Sequence, residues 1–130
     1  MIKNSQVMQL TLEEYLGIKI CDTVCISLKN ETNRREQVIH ECKKVGITPK
    51  FYLADLHPEG GVKGCYESHR YCLQYAKDND LDNILILEDD VQFDTDNMKT
   101  PVNLPEDYDM IYLGYHANRG YRYTTGLIKL

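Results

Sequence analysis

The chain has 130 residues, of which 42% are hydrophobic, enough for one globular domain with a substantial core. Its 20 acidic residues outnumber its 15 lysines and arginines, which gives a formal net charge of −5. The basic residues are scattered along the chain, so we expect no nucleic-acid partner and no anionic membrane surface. An anionic ligand would therefore need a metal ion or specific arginines.

Targeting and redox signals are absent from the sequence as given. It contains no run of about 20 apolar residues, no signal-peptide pattern and no retention signal. We therefore expect no membrane span and a cytoplasmic location. The five cysteines show no C-x-x-C spacing, and we expect no Cys/His cluster suited to zinc. The pairs Cys21 and Cys25, and Cys65 and Cys72, are predicted to be reduced core residues on one face of a strand and of a helix.

The elements predicted from the pattern fall into a leader and one domain. Residues 1–20 are a polar leader, in which the sequence from Thr11 to Glu14 has the form of a capping box and predicts a short docked helix. Residues 21–130 form the predicted domain, in which Asn30 is expected to cap a helix. Its strands are predicted over residues 22–28, 50–54, 84–87 and 109–113. They alternate with helices over residues 30–45 and 65–78 and with an irregular segment over residues 94–107.

A further strand is expected within residues 120–130, and a loop over residues 55–64. Alternating strands and helices predict an α/β fold with a mostly parallel, doubly wound sheet and helices on both faces.

The third predicted strand ends in three consecutive carboxylates, in the sequence NILILEDDV over residues 83–91. Ligands of open α/β folds bind at this end of the strands. Two like charges about 4 Å apart repel by about 4 kcal/mol at an effective dielectric constant near 20. The triplet therefore needs a cation or solvation, and a metal site and a solvated turn or cap are equally consistent with it.

Five motifs in a fixed order suggest a family. The chain contains ISLKNETNRR, KFYLAD, GCYESH, ILILEDDV and YDMIYLG, and together these resemble glycosyltransferase family 25 over roughly residues 22–126. That family includes bacterial lipooligosaccharide galactosyltransferases and procollagen galactosyltransferases. The resemblance implies a Rossmann-like GT-A fold that binds a UDP-sugar, such as UDP-galactose or UDP-glucose, with Mn²⁺ or Mg²⁺. Because family members continue further, the chain is expected to be truncated at its C-terminus, with the acceptor-binding half missing or reduced.

The resemblance also implies site residues. Glu88 and Asp90 are the implied metal ligands, and Asp89 is expected to reach ribose or a metal-bound water. Arg34 is the implied phosphate contact, whereas Arg35 is expected to pack by its stem. The other residues implied in donor binding are Leu28, Asn30, Asp55, Ser68 and His69.

Structural roles are alternatives for several of these residues. Arg34 is otherwise solvated surface, Asp55 a loop cap and His69 a hydrogen-bonded, half-buried histidine. Three further polar residues follow the fourth strand, and an ordinary surface loop is favoured for them: His116, Asn118 and Arg119. The catalytic residues are not assigned.

The implied activity is that of a hexosyltransferase in lipopolysaccharide biosynthesis or collagen glycosylation. It would be an inverting transfer to a hydroxyl of an unidentified glycan or protein acceptor. A nucleotide-sugar-binding module without transfer is the alternative, and exposed apolar surface on such a module would favour a homo-oligomer. A receiver-like signalling domain is a remote third hypothesis. In such domains the acidic pair closes the first strand, whereas the triplet of this chain closes the third predicted strand.

Overall fold

The computed structural model describes residues 9–114 and the backbone of residues 125–129. The described helices are α1 (Leu12–Leu16), α2 (Thr32–Lys44) and α3 (Gly61–Asp78), with a 3-10 turn at Thr95–Asn97. The described strands are β1 (Thr23–Leu28), β2 (Lys50–Ala54), β3 (Asn83–Glu88), β4 (Met110–Gly114) and β5 (Thr125–Lys129).

The five described strands form one sheet in the order β2-β1-β3-β5-β4. β1 pairs in parallel with both β2 and β3, whereas β5 is antiparallel to β3 and β4. Four strands therefore run in one direction and only β5 runs against them. This confirms the predicted Rossmann-like α/β fold with a mostly parallel sheet. The reversal of β5 was not predicted, because an apolar pattern carries no information on strand direction.

β3 is the centre of the core and separates its two layers. Its apolar side chains point alternately to opposite faces of the sheet and are at most 1% exposed. Leu85 and Leu87 pack with residues of α1 and α2, while Ile84 and Ile86 pack with Cys72 and Ala76 of α3. Helices thus cover both faces, as predicted, and the carboxyl end of β3 is held rigidly between them.

Part of the leader packs against this core. The capping box at α1 is present, since Thr11 Oγ1 accepts from the Glu14 amide and Glu14 Oε1 accepts from the Thr11 amide. Leu12 and Leu16 are each 3% exposed. The Leu12 amide also donates to the Val45 carbonyl at 2.9 Å. α1 is therefore docked beside the end of α2.

Several expectations from the sequence are wrong. Cys21 is exposed and precedes β1, and Cys65 is only partly buried, whereas Cys25 and Cys72 are buried. Asn30 does not cap α2, because the cap position is Glu31 and no side chain bonds to the helix end. The loop after β2 is shorter than predicted, since α3 begins at Gly61.

In the described part of the chain, no helix combines the length and apolar character needed to cross a bilayer.

Candidate functional site

The carboxyl ends of β1, β2 and β3 lie side by side, because these three strands are parallel neighbours in the sheet. A cavity of about 200 Å³ lies between this edge and the first turns of α3. Arg34 of α2 completes one wall. Of the predicted site residues, the cavity is lined by Leu28, Arg34, Asp55, Ser68, Glu88 and Asp89.

The remaining predicted residues lie around this cavity or outside the described chain. Asn30 is exposed just beyond β1, and His69 Nε2 lies 3.3 Å from Glu88 Oε2. Asp90 lines a second cavity of about 760 Å³ against α2, and Arg34 and Asp89 line both cavities. His116, Asn118 and Arg119 lie outside the described residues.

Asp89 is held by hydrogen bonds on both carboxylate oxygens. Ser27 Oγ donates to Oδ2 at 2.8 Å, and Arg34 Nη1 donates to Oδ1 at 3.2 Å. The hydrogen bond with Asp89 raises the pKa of the Arg34 guanidinium above its ordinary value. Only 12% of the Asp89 side chain is exposed. Asp89 is therefore a fixed anion that orients Arg34 at the junction of the two cavities.

Arg35 secures the end of β1. Its Nη1 donates to the Leu28 carbonyl at 2.6 Å and to Ser27 Oγ at 3.2 Å, and its Nη2 donates to the Lys29 carbonyl at 3.0 Å. Backbone carbonyls at a strand end need donors when they leave the sheet ladder. The guanidinium head of Arg35 thus has a structural role, beyond the packing of its stem that the sequence predicted.

Glu88 faces α3. Its Oε2 lies 3.5 Å from Cys65 Sγ and 3.3 Å from His69 Nε2. Ser68, next to His69, is 5% exposed and faces the cavity. His69 was predicted as a site residue and Cys65 was not, and the two lie together with Glu88 although no Cys/His cluster was expected. The four-residue spacing of the two on one helix was the signal that could have revealed it.

Glu41 was also missed and fixes the segment after the triplet. Its Oε1 accepts from the Phe93 amide at 2.9 Å, while Lys44 donates to Oε2 at 2.7 Å. Burial raises the pKa of Glu41, but the hydrogen bonds from Lys44 and the Phe93 amide outweigh burial and lower it overall.

Asp55 forms an ion pair with Lys29 at 2.9 Å, where both side chains are mostly exposed. Such an exposed pair contributes little to stability.

The arrangement combines oxygen ligands suited to a hard cation with an oriented guanidinium suited to a phosphate. These groups come from β1, α2, α3 and the end of β3, so only the folded sheet edge assembles them. The pattern is typical of ligand sites in open α/β folds. The chemistry of these groups suits an anionic ligand together with a cation.

Comparison with known protein families matches residues 59–126 to glycosyltransferase family 25, described as an LPS biosynthesis protein. A search among curated proteins gives no significant match. The matched segment includes α3, β3 and the acidic triplet. Because the match covers more than half of the 130 residues, the chain belongs to glycosyltransferase family 25.

Proposed function

We propose that this protein binds the donor of a glycosyl transfer, a UDP-hexose, at the carboxyl ends of β1, β2 and β3. Membership of the family supports a glycosyltransferase-like function. One observation carries the more specific proposal. A cavity at this edge is lined by Arg34, Asp55, Glu88 and Asp89, and Asp90 lines the adjoining cavity, which shares Arg34 and Asp89 with it; guanidinium and carboxylate groups suit a nucleoside diphosphate and its cation.

A divalent cation, Mn²⁺ or Mg²⁺, is part of this proposal, with Glu88 and Asp90 as its ligands. These ions prefer oxygen ligands, and both side chains are accessible, Glu88 being 24% exposed and Asp90 exposed. Asp89 accepts hydrogen bonds from Ser27 and Arg34, and its proposed role is to contact ribose or a metal-bound water. When bound, the cation neutralises charge on the departing diphosphate.

The other side chains would bind and orient the donor. The Arg34 side chain is 52% exposed and is already oriented by Asp89, so its remaining donors suit a phosphate. Asp55, at the end of β2, would accept hydrogen bonds from ribose hydroxyls in exchange for its exposed pair with Lys29. The proposed reaction is inverting transfer to an acceptor hydroxyl, and no residue is assigned as the base.

The proposal is tested by isothermal titration of the chain with UDP, with and without Mn²⁺, beside a transfer assay with UDP-hexoses. We expect UDP binding that depends on the metal. Binding without transfer would support a nucleotide-sugar-binding module in place of an enzyme. Absence of metal-dependent UDP binding would contradict both versions.

A receiver-like domain gains no support from the structure. Its acidic pair would follow β1, but β1 ends at Leu28 and the triplet follows β3.

A further inference from the structure

α3 and β3 bring together three side chains of different ligand types, at Cys65, His69 and Glu88. Cys65 and His69 are four residues apart on α3, so they project from the same face of the helix. β3 ends opposite this face at Glu88. The Cys65 sulfur, the His69 ring nitrogen and one carboxylate oxygen of Glu88 lie within 4.8 Å of one another.

The two distances from Glu88 Oε2 to the other two ligand atoms fit a tetrahedral metal ion. Zn²⁺ binds sulfur at about 2.3 Å and nitrogen or oxygen at about 2.0 to 2.2 Å, so tetrahedral ligands are separated by about 3.5 Å for S and O and about 3.3 Å for N and O. The observed separations from Glu88 Oε2 are 3.5 Å to Cys65 Sγ and 3.3 Å to His69 Nε2. The third separation, between the Cys65 sulfur and the His69 ring nitrogen, lies within 4.8 Å.

We propose that Cys65, His69 and Glu88 bind one transition-metal ion of the Zn²⁺ type. Thiolate and imidazole select such ions over Mg²⁺ and Mn²⁺, which prefer oxygen ligands. The Cys65 thiol loses its proton to solvent when the ion binds. Three protein ligands leave a fourth position for water or a ligand, and Cys65 and Glu88 both line the 200 Å³ cavity from which it would come.

Entry of the ion is open from solvent. The His69 side chain is 31% exposed and that of Glu88 is 24% exposed. The remaining cysteines are unsuited to this role. Cys25, Cys42 and Cys72 are buried among apolar residues, and Cys21 is exposed outside the site.

One consequence rests on the proposed function, because Glu88 is also a ligand of the proposed donor metal. An ion held by Cys65 and His69 would engage Glu88 Oε2 and withdraw it from Mn²⁺. Zn²⁺ is then expected to weaken Mn²⁺-dependent UDP binding. The pair Cys65 and His69 would make donor binding sensitive to Zn²⁺ and similar thiolate-binding ions.

The site is tested by titrating the whole chain with Co²⁺ in the absence of nucleotide and recording its absorption spectrum. We expect a thiolate-to-cobalt charge-transfer band that saturates at one ion per chain and disappears when Zn²⁺ is added. Cys65→Ser should abolish the band, whereas the matched control Cys21→Ser should retain it. His69→Gln should weaken Co²⁺ binding by at least about 10-fold, because removing even a residue that only hydrogen-bonds to a metal ligand commonly lowers metal affinity by that factor.

Absence of the band in the folded wild type, or its persistence in Cys65→Ser, would overturn the proposal. Circular dichroism and Tm are measured without metal for each variant, and His69→Gln decides the matter if Cys65→Ser does not fold. The second measurement is UDP affinity in Mn²⁺ with added Zn²⁺, which should fall in the wild type and not in Cys65→Ser. A cobalt spectrum without any UDP binding would contradict the proposed function and leave the metal site standing.

Discussion

The three carboxylates of the acidic triplet lie in three different environments. Glu88 faces Cys65 and His69 of α3, and Asp89 faces β1 and α2, where Ser27 and Arg34 donate to it. Asp90 lines the larger cavity beside α2. β3 ends at Glu88, and the two aspartates lie in the turn after it, where both line the cavity beside α2 while Glu88 faces α3. The repulsion between carboxylates that the sequence suggests is thus reduced in two ways. The side chains lie in different environments, and Arg34 forms an ion pair with Asp89.

The residues that contact the acidic triplet could be predicted only in part from the sequence. The triplet and Arg34 were identified as candidates, but Ser27 and Cys65 were not. Ser27 is 62 residues from Asp89 along the chain, and only the parallel pairing of β1 with β3 places them in contact. A serine within an apolar strand carries no pattern that names its partner.

Ser27→Ala tests whether this buried serine holds Asp89. Ser27 is 1% exposed, and its loss removes a donor from Asp89 and an acceptor from Arg35. We expect the free energy of unfolding to fall by about 1 to 2 kcal/mol, as measured by urea denaturation. Much of this loss should vanish in the Asp89→Ala background, because the two residues are coupled. Equal losses in both backgrounds would show that Ser27 acts independently of Asp89.

At the scale of elements, periodicity predicted most helices and strands and their order. β2 has the predicted bounds, and β3 is buried on both faces as its unbroken aliphatic run indicated. The start of α3 was predicted too late because the glycines near it favour a loop. Gly64 is inside α3, where an added Cβ would lie 3.1 Å from His57 Cβ. The close approach of the preceding loop, and not local propensity, therefore favours glycine there.

A polar cluster joins three elements at the opposite edge of the sheet from the candidate site. Asp22 precedes β1, Lys50 begins β2 and Tyr75 lies in the last turns of α3. Asp22 Oδ2 accepts from Lys50 Nζ at 2.8 Å and from the Tyr75 hydroxyl, while Oδ1 accepts from the Thr23 amide at 2.9 Å. Burial raises the pKa of Asp22, but these hydrogen bonds outweigh burial and lower it below its ordinary value of 3.8.

This cluster predicts an acid-dependent contribution to stability. A carboxyl group whose pKa is lowered by folding stabilises the fold above its unfolded pKa, and the contribution is lost as pH falls through the folded pKa. Asp22→Asn should therefore lower the free energy of unfolding at pH 7 by about 1 to 3 kcal/mol, and by less at about pH 3. Urea denaturation at both pH values measures this. A loss that is the same at both pH values, or one matched by the exposed control Asp82→Asn, would contradict it.

At the scale of the whole molecule, stability and ligand chemistry lie at opposite edges of one sheet. Two apolar layers bury β3 on both faces, and the Asp22 cluster ties together the edge where the strands begin. The candidate site occupies the edge where β1, β2 and β3 end. Substitutions of exposed site residues such as Arg34 and Asp90 should therefore alter binding more than folding, whereas substitution of the buried Ser27 should also lower stability. The family was predicted from the order of five motifs, and the match over residues 59–126 confirms it.

The most direct test of the central claim is the UDP affinity of Asp90→Ala in the presence of Mn²⁺, compared with the wild type and with Asp96→Ala. Asp96 is an exposed residue of the 3-10 turn and has the same charge. If Asp90 is a ligand of the donor metal, its removal should lower metal-dependent UDP affinity by about 10-fold or more, with Tm unchanged or raised because crowded charge is relieved. Asp96→Ala should bind like the wild type. Unchanged UDP affinity in a folded Asp90→Ala protein would contradict the account and make the triplet a structural turn.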